Sequence, residues 1–141
     1  MQKSFRIFSF FLFLAFLDQL SKYFAKSIAP SSLIAFTCNK NIAWSLPIEP
    51  AFFYPLWMVI FVFLAYSLAS GKNSNQQLAL VFILSGAVSN IFDRLQYGCV
   101  IDFIDLRIWP VFNLADIYIT IGMVIILKRM LKKSVSRSET Q

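Results

Sequence analysis

"FFYPLWMVIFVFLAYSLA", Phe52 to Ala69, runs for 18 residues without a charged side chain. As a helix rising about 1.5 Å per residue it reaches about 27 Å, close to the roughly 30 Å of a bilayer's hydrocarbon core. This stretch predicts a membrane span, and it sets lipid as the solvent in which the rest of the chain is read. Three more segments, Phe5–Ala25, Gln76–Asp93 and Asn113–Met130, are apolar but carry polar residues that need a reason. The three 18-residue segments are short for a bilayer, so thinning or snorkelling ends are expected. The whole chain is 58% hydrophobic, with 16 Phe and only 14% charged residues, which is too apolar for an ordinary soluble domain. The expected fold class is an all-α membrane protein of one domain, residues 1–141. It has four transmembrane helices (5–25, 52–69, 76–93 and 113–130) and a small β-containing extracytoplasmic loop region.

The net charge of +6 could suggest nucleic acid, but its placement points to a membrane. With four spans both termini share one side. That side carries Lys3, Arg6, Lys72, Lys128, Arg129, Lys132, Lys133 and Arg137, eight of the 13 basic residues. By the positive-inside rule it is cytoplasmic, and Lys128–Lys133 is an anchor against anionic headgroups. The acids Asp18, Glu49, Asp93, Asp102, Asp105 and Asp116 gather in or beside the outer half. Lys3 and Arg6 before Ile7–Leu17 imitate a signal peptide. However, Asp18-Gln19 follow at once and the nearest small-x-small site lies well beyond, so a retained span is expected. Cys38 and Cys99 both face outward; a disulfide is open to them, though two free thiols are the default reading. With no histidine, a zinc site is not supplied.

Ser70–Asn75 is a polar turn joining two helices. Leu33–Cys38 and Ile42–Leu46 flank Asn39-Lys40-Asn41 and read as a hairpin. Val100–Ile108 reads as a strand with Asp102, Ile104, Leu106 and Ile108 on one face. A carboxylate among aliphatics is disfavoured as the anion, so the Asp102 pKa should rise. The tail, Ser134–Gln141, is polar and expected to fray.

Ionisable groups near lipid are functional candidates by default. Asp18 and Lys22, four apart, suit a structural ion pair on the first helix. Asn90, Asp93 and Arg94 cluster at the outer end of the third span. Asp93-Arg94 could simply end that helix, but Asn90 lies a turn deeper and needs a partner. Small Gly86 and Ser89 beside them allow close helix approach. Asn39 is readable as a turn residue. Asn113 reads as the N-cap of the fourth helix, accepting from the Asp116 N–H. Asp102 and Asp116 are close enough in sequence to meet at the outer surface, and two such carboxylates can share one proton. A Ser21-Lys22 pair is the nucleophilic alternative, but adjacent helical residues do not face each other.

Five stretches then carry a family resemblance. Asp18-Gln19-Leu20-Ser21-Lys22, Asn39-Lys40-Asn41-Ile42-Ala43-Trp44-Ser45 and Gly86–Arg94 (GAVSNIFDR) are similar, in order, to motifs of signal peptidase II. So are Val100–Ile104 (VIDFI) and Phe112–Asp116 (FNLAD). The chain resembles this family of inner-membrane aspartic endopeptidases over nearly its whole length. The resemblance implies Asp102 and Asp116 as the catalytic dyad. It also implies Asn39 and Arg94 as substrate-binding residues, with Asn90, Asp93 and Asn113 supporting the site. The implied substrate is a diacylglyceryl-modified prolipoprotein cleaved before its lipidated Cys, in a bilayer, by a monomer. No metal, organic cofactor or nucleic acid is implied. Asn41 and Ser89 stand where the family has glycine. The rival reading is a non-enzymatic tetraspan carrier or assembly factor with a polar vestibule, which would place its carboxylates at mid-membrane depth.

Overall fold

A computed structural model describes residues 2–27, 33–40, 50–71 and 73–138. The element order is α1 (Gln2–Ser27), β1 (Ile34–Asn39), α2 (Pro50–Ser70), α3 (Ser74–Tyr97), β2 (Val100–Ile104) and α4 (Leu114–Ser138). α3 is the centre of the bundle: it packs most extensively on α4, then on α1 and α2. Asn73 caps α3, its side chain accepting from Asn75 N at 3.0 Å and Gln76 N at 3.3 Å. Gly98 ends it in the left-handed region (φ 72°), its N–H donating to the Arg94 carbonyl.

Burial is inverted relative to a water-soluble protein. Phe5, Phe16, Phe52, Val59, Phe63 and Tyr66 are all more than half exposed, whereas Asp18, Asp93 and Asn113 are 0% exposed. The apolar core is small, built on Leu14, Val81 and Tyr118. In lipid, apolar side chains gain little from meeting one another, so close packing and polar contacts must hold the helices together. α3 and α4 show the first of these. A Cβ at Gly86 would run into the Ala115 carbonyl oxygen, and one at Gly122 would lie 2.6 Å from the Ala79 carbonyl oxygen.

Three helices, α1, α2 from Phe52 and α3, are long and apolar enough to cross a membrane. α4 falls short of that composition because Asp116, Lys128 and Arg129 leave only Ile117–Leu127 free of charge. It continues as helix to Ser138, so the fraying expected from Ser134 onward is not seen among the described residues of the tail.

β1 and β2 pair antiparallel, with Thr37 opposite Asp102, Cys38 opposite Ile101 and Asn39 opposite Val100. The described partner of β1 is thus β2; the second arm of the expected hairpin, Ile42–Leu46, lies outside the described residues, as does Asn41. β2 is also shorter than Val100–Ile108. After Ile104 the Asp105 side chain accepts from Arg107 N at 2.7 Å, Arg107 takes φ 62°, and the chain turns back. Phe112 then bridges Ile104, with N–H···O distances of 2.8 and 3.1 Å. Leu106 and Ile108 therefore do not share the Asp102 face. Cys38 and Cys99 are joined by a disulfide, with Cα atoms 5.4 Å apart, which overturns the free-thiol reading.

Gly86→Leu should separate α3 from α4, because the obstructing atom is backbone and cannot rotate away. Overpacking of this kind costs about 1–3 kcal/mol. The thermal melt of the detergent-solubilised variant should shift down, and an unchanged melt would refute the close approach.

Candidate active site

Lys22 is the hub from which the site is built. Its Nζ lies 2.6 Å from Asp18 Oδ2, 2.8 Å from Asp93 Oδ2 and 3.0 Å from Asn90 Oδ1, and the residue is 2% exposed. All three ammonium protons are thereby used. The i,i+4 pair with Asp18 is one arm of a larger knot.

Asp18 reaches from α1 to the start of α4, where its Oδ1 accepts from Ala115 N at 2.8 Å. A carboxylate there satisfies a free helix donor and meets the positive end of the helix dipole. Asp93 reaches the other way. Its Oδ2 accepts from Ile101 N at 3.1 Å, fixing β2 one residue before Asp102. The two acids thus position the segments that carry Asp116 and Asp102.

Asn113 and Asp116 form a reciprocal cap at the start of α4. Asp116 N donates to Asn113 Oδ1 at 3.0 Å, and Asn113 N donates to Asp116 Oδ2 at 3.2 Å. Asn113 Nδ2 also donates to Asp102 Oδ1 at 2.7 Å, to Asn90 Oδ1 at 3.1 Å and to the Ile101 carbonyl at 3.3 Å. Asn90 Nδ2 donates to Asp116 Oδ1 at 3.0 Å. Asn39 Nδ2 donates to Asp102 Oδ2 at 3.0 Å from across the sheet. Two carboxylates, one from β2 and one from α4, are therefore linked through two bonded amides, Asn113 on Asp102 and Asn90 on Asp116.

Burial raises the Asp102 pKa to about 6; the Asp116 charge adds to the rise, while the Asn39 and Asn113 hydrogen bonds and the Lys22 charge oppose it. The upward direction was expected, but its origin differs from the expected aliphatic strand face. Asp102 is 2% exposed beneath a cleft of about 560 Å³ that Asn39, Asn90, Arg94 and Asp116 also line. Phe53 and Trp57 of α2 and Ile119 and Met123 of α4 give that cleft an apolar wall. Arg94 lies at its side, the guanidinium 5.0 Å from the Phe53 ring centre. Its charge faces both Asp102 and Asp116.

All nine residues singled out from the sequence fall in this one region, but two more belong with them. Gln19 Nε2 donates to Asp93 Oδ1 at 2.8 Å and to Ser89 Oγ at 2.9 Å. Ser89 Oγ donates to Asp18 Oδ2 at 2.7 Å. Ser89 therefore acts through its hydroxyl, not merely through its small size. The signal for Gln19 was its place beside Asp18, one helical turn before Lys22. Ser21 Oγ, by contrast, donates to the Asp18 carbonyl, and Lys22 faces carboxylates, which removes the Ser–Lys alternative.

Known proteins match most of this chain. A family model described as signal peptidase (SPase) II, of the peptidase A8 type, matches residues 10–132. The lipoprotein signal peptidase of Borreliella burgdorferi is 34% identical, covering 87% of this chain and 88% of the relative. That of Thermodesulfovibrio yellowstonii is 36% identical, covering 89% and 93% respectively. A bacterial membrane enzyme solved by the in meso method at 2.3 Å superposes with a TM-score of 0.81 at 27% identity, covering 92% of this chain and 89% of that one.

Lys22→Met should leave Asp18 and Asp93 buried without their shared cation. Removing one partner from such a pair costs about 3–5 kcal/mol. The variant should lose most of its folded yield, measured by size-exclusion chromatography and thermal melting. A wild-type melt would show that the knot does not hold the bundle.

Proposed function

The chain belongs to the signal peptidase II family, and on that premise we propose that Asp102 and Asp116 are the catalytic dyad of a membrane aspartic endopeptidase. Membership in a family of peptidases sets aside the carrier reading. The substrate is a prolipoprotein whose signal peptide is removed, by cleavage just before the diacylglyceryl-modified Cys. The observation that carries the dyad is the double bridge: Asn113 and Asn90 hold carboxylates from two different elements over one cleft.

Two adjacent carboxylates resist double ionisation, so the pair retains one proton into the weakly acidic range. The ionised member takes a proton from water as that water attacks the scissile carbonyl carbon. The protonated member donates to the carbonyl oxygen, and the tetrahedral adduct forms without free hydroxide. Collapse returns a proton to the leaving nitrogen and breaks the C–N bond. Arg94, with a planar fork of donors, holds peptide carbonyls beside the dyad. The gap between the aromatic residues of α2 and the apolar side chains of α4 admits the signal helix from the bilayer, with the lipid chains left in lipid.

The protein is placed in the bacterial inner membrane with α4 as its fourth span. Both termini are cytoplasmic and the sheet and dyad face outward, following the eight-to-five split of basic residues.

Asp102→Asn and Asp116→Asn should each lose at least the roughly 10²–10⁴-fold credited to acid–base catalysis while inserting and melting normally. Cleavage of a diacylated prolipoprotein peptide by each purified variant is the measurement; near-wild-type turnover in either would sink the dyad.

The pH profile gives a separate check. Asn39 donates to the ionised form of Asp102, so deleting it favours the protonated form and raises that pKa. In Asn39→Ala the alkaline limb of kcat/KM should move to higher pH, whereas it should stay in place, with KM alone raised, if the Asn39 amide served substrate alone.

Topology is tested by a single cysteine at residue 73 on a background lacking Cys38 and Cys99. It should resist an impermeant thiol reagent on intact cells; labelling there would invert the assignment.

A further inference from the structure

The Cys38–Cys99 disulfide sits next to the dyad without belonging to it. Cys38 precedes Asn39, and Cys99 lies three residues before Asp102. The two strands make a two-stranded sheet, an arrangement marginal by itself. Its register breaks between Ile34 and Thr37, leaving Thr37–Asn39 against Val100–Asp102 as the regular part.

The two strands are anchored unequally. β2 is held by Asp93 at Ile101 N, by Asn113 at the Ile101 carbonyl and by Phe112 at Ile104. β1 leans on β2 and α1, and the disulfide is the one covalent tie between the strands; Cys38 is exposed while Cys99 is buried. Breaking that tie therefore loosens β1 and leaves β2 in place. The contact that spans the two strands at the site is Asn39 Nδ2 to Asp102 Oδ2.

We infer that the Cys38–Cys99 disulfide is a positioning element for the reaction: it holds Asn39 against Asp102, so the acid–base poise of the site depends on the redox state of these two thiols. The inference rests on the dyad assigned above. Asp102 is faced by Asp116 from α4, Lys22 from α1 and Arg94 from α3, besides Asn39 from β1. None of those three charges sits on β1. Loss of the Asn39 donor leaves the Asn113 hydrogen bond and the Lys22 charge to oppose burial and the Asp116 charge, and Asp102 keeps its proton to higher pH.

The test compares oxidised and reduced wild-type protein in nanodiscs. A water-soluble phosphine cleaves the S–S bond to two thiols and becomes the phosphine oxide, taking its oxygen from water. Disulfide state is read by mass spectrometry and folding by thermal melting. kcat and KM are read against pH on a diacylated prolipoprotein peptide. Asp102 titration is followed by infrared difference spectroscopy against Asp102→Asn. Reduction should lower kcat/KM at the pH optimum about tenfold, the scale of one hydrogen bond to a charged group, while its alkaline limb moves to higher pH. It should also carry the Asp102 midpoint above about 6. Cys38→Ser/Cys99→Ser should match the reduced enzyme and ignore the phosphine. In Asn39→Ala, reduction should add nothing further, since both changes remove the same contact.

Free thiols in the purified protein would overturn the inference. So would a reduced, folded enzyme with an unmoved midpoint, or activity lost only in step with folded protein. If the oxidised enzyme cleaves nothing, the dyad reading fails while the infrared midpoint still decides the role of the disulfide.

Discussion

Everything about the site depends on one buried ammonium. Lys22 holds Asp18, Asp93 and Asn90 at once, and each of those three reaches a different part of the machinery. Asp18 holds the first turn of α4, Asp93 holds β2, and Asn90 touches Asp116. A lone buried lysine is costly, and so are two buried acids, but together with their amide partners they satisfy one another. In a bundle whose outer surface gives little drive to associate, such a knot does what an apolar core does in water.

Much of this was legible in the chain. Phe52–Ala69 announced lipid, and the polar residues that spoiled the other three segments turned out to mark the site. The i,i+4 spacing of Asp18 and Lys22 and the Asn113-to-Asp116 spacing are local, so the helix period makes them readable. What spacing cannot show is reach between elements. Nothing local says that Asp18 serves α4, that Gln19 serves α3, or that β1 pairs with β2 instead of with its own sequel. The Arg107 turn was equally hidden, because alternation in Val100–Ile108 is a good strand pattern and an Asx turn at Asp105 interrupts it. The disulfide was undecidable for the same reason: it needs Cα proximity, which only strand pairing supplies.

The return from Ile104 to Phe112 explains how two aspartates on different elements come together. β2 presents Asp102, the loop closes on itself through the Phe112 bridge, and Asn113 follows immediately, its side chain on the Asp102 carboxylate and its backbone N–H on that of Asp116. The bridge, the cap and the carboxylate pair are therefore one continuous piece of chain. Its rigidity is appropriate to chemistry that needs two groups at a fixed separation.

α2 stands apart from this economy of contacts. Its apolar stretch is unburied, its principal helix contact is α3, and Phe53 and Trp57 are its links to the cleft. Natural selection can therefore read most of this helix only as length and greasiness. Drift should run through its outward side chains almost unchecked, exchanging one oily residue for another as membranes change. Lineages of this enzyme would then differ most where they touch lipid, and least where a lysine is hidden from it.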